Sequence, residues 1–263
     1  MSEQGINGSS AGAVSEAERY EIRFPRGRDH GQDEEWCEVR VNGEARRIRF
    51  HDYADIFALP GLYEQIFYDE LQCDSPRTVA KLLCDQLDAT GRDRSDLRVF
   101  DVGAGNGMVG EQLQSLGVPC IVGVDIIEAA AEATQRDRPG VYADYLVLDL
   151  TDIPADARRE LESQRFSCLT TVAALGFGDI PPEAFAAAYN LIEPGGLIAF
   201  TIKEDFISDG DGSGFSKLVR RALEDGTMEI GAQRRYRHRL SVDGEPLHYV
   251  ATVGEKRRDL PLA

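Results

Sequence analysis

Between residues 97 and 202 the chain alternates two hydrophobic rhythms. Short apolar runs, LRVFDV (97–102), PCIVGVDI (119–126), YLVLDL (145–150), FSCLTTVAAL (166–175) and LIAFTI (197–202), are separated by stretches in which apolar residues recur every three or four positions. The first rhythm predicts strands buried on both faces and the second predicts amphipathic helices. Helices are expected over 108–116, 128–138, 155–164, 182–192 and 215–224, with stops at Gly117, Pro139-Gly140 and Pro194-Gly195-Gly196. Strands alternating with helices predict an α/β protein, a doubly wound and mostly parallel sheet. The closing RRYRHRLSV and EPLHYVATVG, joined at Asp243-Gly244, read as an antiparallel hairpin that brings the sheet to seven strands.

Upstream the pattern changes. WCEVRVNGEARRIRF (36–50) reads as a β-hairpin turning at Asn42-Gly43. Residues 51–71 are rich in aromatics and predict one or two short helices interrupted at Pro60-Gly61. Ser75 and Pro76 read as N-cap and first-turn proline of a further helix, whose apolar stripe is Val79, Leu82, Leu83 and Leu87. Three parts are expected: a disordered tail (1–18), a hairpin and helical lid (19–74) and a ligand-binding domain (75–263).

Composition narrows the classes. A formal charge of −17 disfavours a nucleic-acid or anionic-membrane surface, which would need an excess of Lys and Arg. No window reaches the length of a membrane span, and the N-terminus lacks the apolar core of a secretory signal. Cys37, Cys73, Cys84, Cys120 and Cys168 are scattered without metal or disulfide spacing, which suits a reducing cytoplasm and no metal centre.

Candidate chemistry concentrates at the ends of the predicted strands. VFDVGAGNGMVG (99–110) sets Asp101, Gly103, Gly105 and Gly107 where the first strand opens into a helix. In such sheets ligands bind at the carboxyl ends of the strands, and bare glycine backbone lets them approach closely. The dinucleotide pattern G-x-G-x-x-G fails, because Met108 stands at its third glycine, so an NAD-dependent oxidoreductase is disfavoured. An acid before the glycines would repel a pyrophosphate and suits a ligand bearing an ammonium, such as S-adenosylmethionine. Asp125 ends the second strand, where it could accept ribose hydroxyls, and Asp149 ends the third, where it could meet an adenine amino group beside the Leu150 N–H. A strand-terminal Asp is more often a cap or turn residue, so the register of all three carries the weight.

With these residues the chain resembles the class I S-adenosylmethionine-dependent methyltransferases over roughly residues 75–205, and among them the small-molecule enzymes of the ubiquinone-biosynthesis and Williams–Beuren-region types. The resemblance implies a Rossmann-like methyltransferase fold, with Asp101, Gly103, Ala104, Gly105 and Gly107 as the glycine motif. It also implies Asp125 on the ribose, Ile126 packed on the adenine, Asp149 and Leu150 at its edge, and backbone near Thr171 at the methionine moiety. Where amino-methyltransferases carry Asn/Asp-Pro-Pro-Tyr this chain reads Thr170-Thr171-Val172-Ala173, so a small-molecule acceptor is expected, its methylated atom open.

The acceptor side is less sharply written. Tyr53, Tyr63 and Tyr68 could close over the sulfonium, or merely pack an extra helix. His51 and His248 are the imidazoles considered as general base, and Lys203 follows the fifth strand. Arg235, Arg237 and Arg239 would share one strand face, read preferentially as a solvated edge. A monomer or a homodimer, and a non-catalytic binding protein that keeps the cofactor site, all remain open.

Overall fold

The computed structural model describes residues 19–25, 31–176, 178–204 and 214–261. The expected tail at 1–18 and most of the GDGSGF loop lie outside them. Five strands form the parallel core: β4 (Arg98–Val102), β5 (Cys120–Asp125), β6 (Asp144–Val147), β7 (Phe166–Thr171) and β8 (Ile192–Lys203). The hairpin of β9 (Met228–Leu240) and β10 (Pro246–Lys256) completes a seven-stranded sheet in the order β6-β5-β4-β7-β8-β10-β9. β10 runs antiparallel to both neighbours, and the other core pairings are parallel. This is the expected doubly wound sheet, and its strand order reverses between β4 and β7, where a crevice opens at the carboxyl ends.

The crossover helices cover both faces. α3 (Ser75–Thr90) buries Val79, Leu82, Leu83 and Leu87 with Val99, Cys168 and Ala251. The stripe read from the sequence is therefore its core face. On the other side α7 (Pro182–Asn190) and α8 (Phe215–Glu224) close over Phe166, Ile198 and Phe200. α4 (Met108–Ser115), α5 (Glu128–Asp137) and α6 (Ala155–Ser163) complete the layers.

Local boundaries differ in instructive ways. Ser75 is the first helical residue rather than the cap: Asp74 precedes the helix, and its Oδ2 accepts from the Thr78 hydroxyl at 2.9 Å. The Ser75 hydroxyl instead lies 2.6 Å from Tyr236 and 2.7 Å from His238. β6 stops at Val147, so Asp149 lies past the strand. β8 begins at Ile192 and carries Pro194-Gly195-Gly196 through a register irregularity with β7. β9 starts six residues before the expected arm, because its backbone pairs with β10 from Met228 onward whatever its side chains do.

The described residues upstream of α3 form the cover over the carboxyl edge. β2 (Trp36–Val41) and β3 (Glu44–Arg49) make the predicted hairpin, joined by an unforeseen third strand, β1 (Glu21–Arg23), on β2. α1 (Tyr53–Phe57) and α2 (Leu62–Glu64) follow, broken at Pro60-Gly61, and a π-helical turn over Gln65–Glu70 continues α2. Val39, Phe50, Ile56, Leu62, Ile66 and Phe67 fuse hairpin and helices into one small core. It is tied down at both ends of the crevice. Leu71 O accepts from Leu240 N at 2.7 Å on one side, while on the other Phe57 packs on Ala130 and Ala133 of α5.

Candidate functional site

The glycine loop between β4 and α4 is held from several directions. Gly103 N–H and Ala104 N–H both donate to Val124 O, at 2.9 and 3.1 Å. Gly105 N–H donates to Asp125 Oδ2 at 2.9 Å, and Gly105 O accepts from Thr134 and Tyr145 hydroxyls at 2.8 and 2.7 Å. Gly103 and Gly105 adopt φ of 69° and 55°, a region where a Cβ is strained. Space is closed as well: a Cβ on Gly103 would lie 2.9 Å from Ala174 Cβ, and one on Gly105 3.2 Å from the Phe57 ring. Gly107 serves the turn instead, packed under Val141, Arg138 and Thr134 as the residue before α4.

Above this loop lie two adjoining cavities. The larger, about 320 Å³, sits over the ends of β4, β5 and β6. Its wall includes Gly103, Gly105, Asp125, Ile126, Asp149 and Leu150. Asp125 is fixed by N–H donors from Gly105 and Ile127. Burial nonetheless raises its pKa, against those hydrogen bonds. Ile126, 62% exposed, offers a bare apolar face beside that carboxylate. The smaller cavity, about 80 Å³, lies further in beneath the lid. Phe50, Tyr53, Tyr63, Phe67, Tyr68 and Tyr249 surround it, with Ala104, Met108 and Val109 from the loop and α4. His51, Tyr53, Tyr63, Ala173 and Asp179 line both cavities. Ala173 is held at a left-handed φ of 57° while its N–H donates to the Thr201 hydroxyl at 2.7 Å, a strained residue at the seam.

Several expected site residues stand elsewhere. Asp101 is 1% exposed and lines neither cavity. Its oxygens accept from Thr170 at 2.6 Å and Tyr142 at 2.7 Å, so it braces the sheet below the loop. Asp149 reaches the rim, but its Oδ1 already caps a local turn, taking the Thr151 N–H and hydroxyl at 2.8 and 2.7 Å. Those two bonds hold its pKa below the ordinary value. Thr171 is fully buried, its hydroxyl oxygen without a hydrogen-bond partner, and Val172, Ala173 and Ala174 reach the cavity in its place. His248 and Lys203 line neither cavity.

The structure brings in His238, which the pattern did not mark, and Arg239, which the pattern set on a solvated edge. His238 and Arg239 are 6% and 4% exposed and both face the inner cavity. A register shift against Leu247 and His248 breaks the alternation of β9, so two consecutive side chains turn inward. The expected arginine face is thus split. Arg235 pairs with Glu204 outside, whereas Arg239 pairs at 2.5 Å with Glu35, itself 1% exposed. Burial, and the Arg239 charge beside it, hold His238 well below the ordinary histidine pKa, so it is neutral. Asp179 follows β7 and had no periodic signal; only its approach to His51 at 3.2 Å marks it.

A polar carboxylate fixed at a strand end, an exposed apolar residue next to it and a glycine cradle too tight for a Cβ suit a nucleoside carrying a short cationic chain. Known proteins share a family and a fold with the chain. A family model described as a methyltransferase domain matches residues 76–241. A ubiquinone biosynthesis O-methyltransferase of Nitrosococcus oceani is 28% identical over 104 residues, 40% of this chain, and the match spans only 42% of that relative's length. An S-adenosylmethionine-dependent methyltransferase structure from Clostridium acetobutylicum shares the fold with a TM-score of 0.51, covering 74% of this chain and 96% of that one at 10% identity.

Proposed function

The chain belongs to the methyltransferase-domain family, and from that premise we propose that it is an S-adenosylmethionine-dependent methyltransferase of a small-molecule acceptor. The observation that carries the reading is the larger cavity: Asp125, Ile126, Gly103 and Gly105 converge on it from the ends of two adjacent strands. Asp125 would hold the ribose hydroxyls with the lone pairs its backbone donors leave over. Ile126 and Leu150 would sandwich the adenine. The backbone of Gly103, Gly105 and Ala173 would take the methionine moiety. When bound, the cofactor supplies an electrophilic methyl group on a sulfonium.

The chain's own work is then positioning and exclusion of water. Tyr53 and Tyr63 form the wall between the two cavities, and the described residues within 19–74 serve as the lid that shuts the inner one. The size and enclosure of that inner cavity support a small molecule rather than a polymer as acceptor, as does the charge of −17.

Calorimetry with S-adenosylhomocysteine tests the cofactor assignment. Binding is expected, and Asp125→Ala should weaken it by roughly tenfold or more, the worth of one charged hydrogen-bond acceptor. Absence of binding at millimolar ligand would refute the reading; an unchanged affinity in Asp125→Ala would remove the ribose role.

A further inference from the structure

His51 and Asp179 reach the seam between the two cavities from opposite sides. His51 precedes α1 in the lid, and Asp179 lies in the loop between β7 and α7. His51 Nδ1 lies 3.2 Å from Asp179 Oδ1, and the imidazole stands edge-on to Tyr53 with ring centroids 5.8 Å apart. A carboxylate at Nδ1 favours the tautomer with its proton there, which leaves the Nε2 lone pair as acceptor. We propose that His51 is the general base of this site, that Asp179 positions it, and that the acceptor is an uncharged phenol. The proposal rests on the methyl-transfer reading above.

Three observations select that acceptor class. First, an imidazole base at the seam is of use only to a nucleophile that must lose a proton. A neutral amine already presents its lone pair. A phenol, with a pKa of about 10 as in tyrosine, lies within reach of an imidazole, whereas an aliphatic alcohol lies far beyond it. Second, the inner cavity is walled by the rings of Phe50, Tyr53, Tyr63, Phe67, Tyr68 and Tyr249, the surface a flat aromatic molecule fills best.

Third, among the described residues the inner cavity offers no uncompensated cation for an anionic group. Arg239 is cancelled by Glu35 at 2.5 Å, and Glu35 also accepts the Val242 N–H at 2.7 Å. Burial raises the pKa of Tyr53, Tyr68 and Cys73 and lowers that of His238, so these groups are neutral at ordinary pH. Among the described residues, a carboxylate on the acceptor would meet neutral groups, an Arg239 cation already paired with Glu35, and the Asp179 carboxylate.

The proton step balances simply. The phenol O–H bond breaks, its proton passes to His51 Nε2, and the bonding electron pair stays on the oxygen facing the larger cavity. Asp179 stabilises the imidazolium, whose proton goes to water when the product leaves.

The test uses the full chain, with S-adenosylhomocysteine affinity measured on every variant. Catechol and its carboxylated analogue 3,4-dihydroxybenzoate are titrated into the S-adenosylhomocysteine complex, then assayed with labelled S-adenosylmethionine. Catechol should bind and be methylated on oxygen, with kcat/KM at least about tenfold above that of the carboxylated analogue. His51→Ala should lower kcat by about a hundredfold or more and leave the affinities for catechol and S-adenosylhomocysteine within about twofold. Asp179→Asn should lower kcat by about tenfold, with partial rescue by Asp179→Glu. The proposal is overturned if S-adenosylhomocysteine binds yet catechol is not methylated, if His51→Ala keeps its kcat, or if the carboxylated analogue is preferred. If S-adenosylhomocysteine fails to bind, the cofactor reading itself falls and takes the dyad's role with it.

Discussion

Replacing Asp101 by Asn should make the protein's stability respond differently to pH. The Asp101 carboxyl is 1% exposed, and burial drives its pKa from the ordinary 3.8 up to about 6, against the hydrogen bonds donated by Thr170 and Tyr142. Because the folded-state value lies above the unfolded one, the folded protein binds this proton more tightly. The stabilisation is fully present below the unfolded pKa and is lost as pH rises through the folded one. A shift of about two units amounts to about 3 kcal/mol lost by about pH 8, of which about half is already lost at about pH 5. Asn cannot ionise, so the difference in unfolding free energy between Asp101→Asn and the parent should move in the variant's favour by about 1 kcal/mol from about pH 5 to about pH 8. The absolute stability of the variant can be lower throughout, since an amide cannot accept from both hydroxyls as a carboxylate does. Urea unfolding of both proteins at the two pH values measures the double difference, with equal m-values as the control. A difference that stays flat, or moves the other way, would refute the account of Asp101 as a buried brace with a raised pKa.

Gly103→Ala should weaken S-adenosylhomocysteine binding by at least about tenfold and destabilise the fold by about 1–3 kcal/mol, since its Cβ would meet Ala174 at 2.9 Å and Ile180 at 3.1 Å on backbone at φ 69°; calorimetry and urea unfolding read the two effects, and parent-like values in both would count against the cradle. Glu35→Gln strands the Arg239 cation in the interior and should cost about 3–5 kcal/mol. In the same variant the preference for catechol over 3,4-dihydroxybenzoate should shrink, because the Arg239 cation facing the inner cavity is no longer cancelled; a discrimination ratio equal to the parent's would show that the Glu35–Arg239 pair does not set it.

Much of the architecture could be read from local pattern. The five buried runs became β4 to β8, and the stripe Val79, Leu82, Leu83, Leu87 became the core face of α3. Gly103, Gly105, Asp125 and Ile126 also lie where the glycine motif and the strand ends implied, on the wall of the larger cavity. Residue type and spacing suffice for these, because a strand end and the turn after it are set by neighbours in the chain. Asp101 and Asp149 share that placement at strand ends and yet differ in fate. One is sealed under the loop by Thr170 and Tyr142, and the other folds back on Thr151. No local pattern separates a carboxylate that faces a ligand from one that braces a sheet.

By itself, then, the amino-acid sequence determined the alternation of strands and helices, the glycine loop at the first crossover and the chemistry suited to it, since each depends on periodicity or backbone freedom within a few residues. Only the tertiary structure decided what encloses the inner cavity. His51 meets Asp179 across 128 positions and Glu35 meets Arg239 across 204, and the bulge that turns His238 and Arg239 inward exists only because β9 is paired with β10. Those contacts depend on how lid and sheet edge close over the crevice, a property of the packed chain that has no counterpart in local spacing.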